Sequence, residues 1–430
     1  MTVGAPARVP GRQRFGGVRP GDSATLLGLF AVGIAVQAFF RLESLRSFLF
    51  GQSTADVQAI LGLLVACGAL MWRALLRRGF VWAEPAVLTW MDFAGADRSR
   101  VIGRRMWAVW CVGVGIFVYV GALTGVAGGV SGDMWLAASA LLLGSAVVSL
   151  STARRPPVRG EEFGPVLLAS LGLLVARARL DPLALEALAA ALFVLGVVRW
   201  RATDTVLQAG RQALVDGWNE RLVRTVSLTF LDPLALLPAA RPARFSLRRP
   251  TALRFAWLGV AGRARYWGAA VSLAIAAVLG AAAAPALPDV VFVALTGYCA
   301  LIPFTGGIGE LWRNDGRRRW LGTSDLGLWL ANLLAMLVLA ALWGVVLVAA
   351  GLVLGDPPSR MALLILPIVA VSAVRTATRP PTTFDNLGVV TSRVLGQVPT
   401  RLFAQLLRGP DLLIAATLIL AVLTRTGDVL

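Results

Sequence analysis

The arginines of this chain collect in the polar stretches that separate about 11 long apolar runs, and all 41 of its basic residues are arginine. With the N-terminus set in the cytoplasm, 35 of them fall in loops on that side and six on the other. Carrying an arginine across a hydrocarbon core is costly, so basic loops stay on the side where synthesis left them. The pattern therefore implies both a class and an orientation. It predicts a polytopic all-α bundle of about 11 spans (10–12) in the cell membrane, with its N-terminus inside. A 57% apolar composition and a mean hydropathy of +0.74 agree.

A helix crosses a bilayer core with ~20 apolar residues, within a range of ~17–25. Runs at 23–40, 57–72, 106–131, 134–152, 267–284, 290–312, 326–353 and 361–374 are read as spans on that measure. The runs at 165–176 and 182–198 form a weaker pair, read as two tilted helices or a re-entrant hairpin that returns inside either way. A short run at 412–423 is expected to cross. Residues 199–266 are the longest polar segment and carry 12 arginines. Long loops obey the charge rule less strictly. Leaving those 12 out still gives 23 against six, so the orientation does not depend on them. The chain thus divides into a first membrane half (1–198), a basic connector with an amphipathic helix (199–266) and a second membrane half (267–430).

Absences narrow the chemistry. With no lysine there is no phosphate-binding loop of the G-x-x-x-x-G-K-[ST] type, so this chain holds no nucleotide in that way. With no histidine, the commonest general base and metal ligand is missing. No catalytic, metal or cofactor site is read from the sequence, and the chain is not expected to be an enzyme. Cys67, Cys111 and Cys299 each lie in an apolar run and are read as small buried residues. The net charge of +18 is spread over membrane loops, which points to anionic lipid headgroups and away from nucleic acid.

Two segments echo each other. Thr152-Ala-Arg-Arg-Pro-Pro-Val158 closes the fourth span and Thr376-Ala-Thr-Arg-Pro-Pro-Thr382 closes the tenth. Upstream, Trp90 and Asp97 precede the third span as Trp320 and Asp325 precede the ninth, at offsets of about 224 to 230 residues. Two halves of the same orientation would be a parallel repeat, as several transporter classes use. The plainer alternative is that a basic residue followed by two prolines ends a helix well at the inner surface.

Within the spans, Pro303-Phe-Thr-Gly-Gly-Ile-Gly-Glu310 is expected to break or thin a helix. Gly306, Gly307 and Gly309 are read chiefly as close-packing residues beside Pro303. Glu186 and Glu310 are the intramembrane carboxylates, the latter read as an interfacial group paired with Arg313 or reaching outward. Arg248–Tyr266 is expected to lie flat before the seventh span, and the loop Trp82–Arg105 to form a surface helix that docks a partner or rests on the membrane.

That loop, Pro85-Ala-Val-Leu-Thr-Trp-Met followed by Gly95-Ala-Asp-Arg98, resembles a signature of actinobacterial ABC-exporter permease subunits. Trp320-Leu-Gly-Thr-Ser-Asp325 is similar to its second-half counterpart, although Leu326 stands where an arginine would follow. Arg379-Pro-Pro and Leu406-Leu-Arg-Gly-Pro-Asp411 are also similar to segments of those chains. The resemblance implies a permease without a cofactor of its own, with ATP held by separate ABC ATPase subunits. Trp90, Asp97, Arg98, Trp320 and Asp325 would contact them. It also implies a pseudo-dimer within one chain, or a homodimer, moving an amphipathic, lipid-like or peptide substrate. An ion-coupled secondary transporter and a non-transporting scaffold of the cell envelope are the rival expectations.

Overall fold

The computed structural model describes residues 33, 36–37, 40–51, 56–201, 205–229, 251–320, 322–380, 389–392, 396–399 and 407–427. Almost all of this is helix, apart from an antiparallel pair of short strands, β1 (Val389–Ser392) and β2 (Gly396–Pro399). Eight of the helical segments are long and apolar enough to cross a membrane, as expected of a membrane-embedded protein. The first of the expected spans, at 23–40, falls largely outside the described residues.

A short helix, α1 (Leu42–Phe50), precedes α2 (Val57–Leu76). Asp56 starts α2 by accepting hydrogen bonds from the amides of Gln58 and Ala59, which otherwise lack partners at a helix start. A short surface helix, α3 (Pro85–Phe93), leads to α4 (Arg98–Gly128), a helix of 31 residues. α4 begins eight residues before the apolar run expected at Met106, because Asp97 caps it through the Ser99 amide and Arg98, Arg100, Arg104 and Arg105 are all helical. Gly129 ends it at φ 69°, a left-handed conformation that favours glycine. α5 (Gly132–Ala153), α6 (Phe163–Ala178) and α7 (Pro182–Trp200) follow.

α6 runs antiparallel beside α2, with Gly164 against Trp72 at one end and Gly172 against Gly62 towards the other. α7 then returns parallel to α5, with Ala189 beside Gly144 and Gly196 beside Val148. The pair at 165–176 and 182–198 is thus two helices packed against neighbouring long helices, the second of membrane length. α6 falls short of membrane length only by count, at 16 residues. Removing side chains at these crossings lets the backbones meet, the usual device of helix packing inside a membrane.

In the connector, α8 (Arg211–Thr229) and α9 (Ala252–Ala261) are helical, and a 3-10 turn at Ala264–Tyr266 joins α9 to α10 (Trp267–Ala283). α9 does not lie alone on a surface, because its Ala256 and Val260 are buried in the main core. α11 (Asp289–Leu301) passes through a 3-10 turn at Ile302–Thr305 into α12 (Gly306–Trp312). Pro303 supplies the reason for that break, since it lacks the amide proton that an α-helix needs there. The chain continues through α13 (Asp315–Trp320), α14 (Asp325–Leu354), α15 (Arg360–Ala377) and, after the strands, α16 (Pro410–Gly427).

α10 is the hub. Its alanine-rich surface touches α2 and α6 on one side and α11 and α14 on the other. Trp343 of α14 donates from its indole to the carbonyl of Ala270 in α10 at 2.8 Å. One buried cluster therefore holds residues from Leu61 to Leu413, on both sides of position 267. The ends of α16 reach opposite ends of the bundle: Asp411 pairs with Arg375 at 2.8 Å, while Arg425 donates to the Ala286 carbonyl at 3.3 Å.

The cysteines correct one expectation. Cys67, Cys111 and Cys299 are all exposed on the isolated chain, not buried. In a membrane protein the outer face of a helix is also apolar, so an apolar sequence context does not place a small residue inside.

Candidate functional site

The arginine-rich helix ends converge on the loop Arg154–Glu162, where guanidinium groups serve as caps. The last carbonyls of a helix lack intrahelical partners and carry partial negative charge, so a cation placed there satisfies both needs. Arg78, just past the end of α2 at φ 52°, donates to the Leu76 carbonyl at 2.8 Å and to the Arg155 carbonyl at 2.9 Å. It also grips both carboxylate oxygens of Glu161, at 3.2 and 2.9 Å. Arg155 in turn donates to the Arg199 carbonyl in the last turn of α7 at 2.7 Å. Arg154 lies 3.6 Å over the ring of Trp200, and burial lowers its pKa from the usual guanidinium value.

Arg73 is the most deeply placed of these groups. Its side chain is 5% exposed and its Nε lies 2.8 Å from Glu162. It also donates to the Arg265 carbonyl at 2.6 Å, so it ties α2 and the Arg154–Glu162 loop to the turn that starts α10. Burial raises the Glu162 carboxyl above its ordinary pKa, and the charge of Arg73 works against that rise. Tyr266 sits beside them with 2% of its surface exposed. Arg73, Arg77 and Arg265 approach its ring to 5.6, 5.8 and 5.3 Å.

α8 closes this end. Arg105 and Arg221 lie over the Trp82 ring at 3.5 and 4.5 Å, and Trp218 packs against it at 5.2 Å. The Ala83 amide donates to the Leu214 carbonyl at 3.0 Å.

The residues expected to meet a partner fall in two places. On α3, Leu88 is fully buried and anchors the helix, while Trp90 is 69% exposed and Phe93 82% exposed. Asp97 caps α4, and Arg98 pairs with Asp92 at the end of α3. Asp92 also binds Arg211 of α8 at 2.9 Å. In the second half, Trp320 closes α13 and Asp325 opens α14, where its carboxylate is 3.2 Å from Arg318.

The hydrogen bond from Arg98, then that from Arg211, holds the Asp92 carboxyl below its ordinary range. A depressed carboxylate pKa contributes stability above the unfolded value of ~3.9, and that contribution disappears as pH falls through the folded value. Hydrogen exchange should therefore report intact protection of residues 85–93 near neutrality and a loss of it below about pH 4. Unchanged protection, after correction for intrinsic exchange, would separate Asp92 from the docking of α3.

The intramembrane candidates separate. Glu186 is exposed on α7. Glu310 accepts from Arg263, which is itself 5% exposed and also donates to the Gly259 carbonyl at 3.3 Å. The glycines beside it are packing residues: a Cβ on Gly306 would stand 2.4 Å from the Arg263 guanidinium, and one on Gly307 would be 3.0 Å from the Cα of Gly259. Gly309 is buried in the same short helix. Among the described residues, no group of three or more cysteines, aspartates and glutamates is placed to hold a metal ion.

Arg73, Glu161, Glu162 and Tyr266 were not among the expected site residues. One signal was available: Glu161-Glu162 is the only adjacent pair of acids in the chain, and it lies in a loop otherwise rich in arginine. No family model, curated protein or solved structure matches this chain.

Proposed function

We propose that this chain is the membrane-spanning permease subunit of an ABC-type exporter in the plasma membrane, driven by separate ATP-binding subunits that dock on its arginine-rich end. That end faces the cytoplasm, as does the N-terminus. The observation that carries the reading is α3. It is a short helix between two spans, held by buried Leu88 and the Asp92 ion pairs, yet it presents Trp90 and Phe93 to solvent. A rigidly held helix with exposed large aromatics is the kind of surface that supplies binding hot spots.

The second half offers α13 at the matching place, and other elements correspond in order. α4 and α14 have 31 and 30 residues and end at left-handed Gly129 and Gly355. Serines 131 and 359 then start α5 and α15, and each of these packs on the last helix of its half, α7 or α16. These likenesses support a parallel repeat. Between the matching helices, the first half has α6, and the described residues of the second include the two strands.

The spans support an amphipathic substrate over an ion or a sugar. Several of their buried hydroxyl and amide groups are spent within their own helices: Ser149 donates to the Ala146 carbonyl, Ser272 to Gly268 and Asn332 to Leu328. That leaves few polar groups to replace the hydration shell of an ion.

Co-purification with the cognate ATPase tests the reading. Trp90→Ala combined with Phe93→Ala should weaken capture at least about tenfold, the scale of one hot-spot side chain. Its melting temperature should stay near that of the parent, because both side chains are exposed. Capture at the parental level by the double variant would remove α3 from the interface. Variants at Asp97 or Arg98 are poorer probes, since the first caps α4 and the second holds Asp92.

A further inference from the structure

We propose that the cavity beneath the Arg154–Glu162 loop is a binding site for a phosphate group. The cavity measures about 240 Å³, against ~10–15 Å³ for a single water. It is walled by the end of α2, the two glutamates, α8 and the turn before α10. Among the described residues, five arginines line it, Arg73, Arg77, Arg78, Arg224 and Arg265, against three carboxylates, Glu161, Glu162 and Glu220. Each carboxylate already has its own arginine: Glu162 takes Arg73, Glu161 takes Arg78 and Glu220 takes Arg224. Arginines therefore outnumber carboxylates among the described lining residues.

Two side chains show where an anion would sit. Among the described residues, the Arg77 guanidinium makes no hydrogen bond or ion pair; it approaches the Tyr266 ring and attracts Glu162 only at longer range. Tyr266 lines the same cavity with 2% of its surface exposed, and among the described residues its hydroxyl has no hydrogen-bond partner. A buried hydroxyl without a partner is costly, and the guanidinium groups around it can only donate. What the hydroxyl lacks is an acceptor. A phosphate oxygen supplies one, and its charge meets the Arg77 guanidinium in charge-assisted hydrogen bonds.

The site joins the two membrane halves, since α2 belongs to the first and the Arg265–Tyr266 turn leads into α10. Occupancy would hold that junction closed. The same group could arrive on a lipid headgroup or on a soluble molecule, and the proposal stands apart from the transport reading.

The test uses the full chain in detergent micelles, titrated in one arm with inorganic phosphate and in another with micelles doped with phosphatidylglycerol. Phosphate-free diacylglycerol is the control. A saturable rise in melting temperature is expected in the phosphate arm if the source is soluble, and in the lipid arm alone if it is a headgroup. Arg77→Gln should raise the half-saturating concentration at least about tenfold, and Tyr266→Phe should raise it several-fold. Among the described residues neither the Arg77 guanidinium nor the Tyr266 hydroxyl makes a hydrogen bond, so both variants should melt near the parent without ligand. No saturable rise in either arm overturns the proposal, as does an equal rise in Arg77→Gln or with diacylglycerol.

Discussion

Glu162→Ala should destabilise this protein by about 3–5 kcal/mol, because it leaves Arg73 as an uncompensated charge in a nearly sealed position. The carbonyl of Arg265 still accepts from Arg73, but one neutral acceptor does not replace a carboxylate. Arg73→Met alone should cost less, since Glu162 keeps 25% of its side-chain surface in contact with solvent and can stay hydrated. The double variant Arg73→Met with Glu162→Leu should recover most of the loss, because a buried ion pair is often replaced by apolar groups at little net cost. Unfolding of the four chains in mixed micelles gives the coupling directly. Additive losses would mean that the pair does not act as a unit, and the junction between α2 and α10 would rest on packing alone.

Gly172→Leu should be comparably damaging for a different reason. A Cβ at Gly172 would stand 2.5 Å from the Gly62 carbonyl oxygen, and a Cβ at Gly62 would stand 2.5 Å from the Gly172 oxygen. Both obstacles are backbone, so no side-chain rotation relieves them. The helices α2 and α6 must separate, with an expected cost of about 1–3 kcal/mol or more. Because α6 also packs on α10, the loss should spread to the junction. Gly103→Leu is the contrast, since a Cβ there meets nothing within 4 Å. Unfolding of Gly172→Leu at the parental denaturant concentration would contradict this close approach.

The two predictions differ in how far the sequence foretold them. Gly62 and Gly172 both lie in apolar runs, and small residues there mark helix packing in general. Nothing local says that these two meet. The break at Pro303 was readable, because a missing amide is a property of one residue. So were the starts of α2 and α4 at Asp56 and Asp97, where a side chain caps amides only two or three positions away. Glu310 shows the limit: its partner is Arg263, 47 residues earlier, and not the nearby Arg313 that spacing suggested. The exposure of all three cysteines makes the same point from the other side, since apolar context does not separate a core face from a lipid face.

By itself, the sequence determined that this chain is helical with several apolar helices of membrane length, and it located most of their ends. Hydrocarbon thickness and the cost of moving arginine are one-dimensional constraints, and each acts on a short stretch of chain. Tertiary structure decided which helices touch, made the alanine-rich α10 their hub, and closed Arg73 onto Glu162 across 89 residues. It also left Tyr266 buried among arginines. Those outcomes depend on side-chain shape and charge at contacts between distant segments, where many pairings satisfy the same hydropathy and only packing selects one.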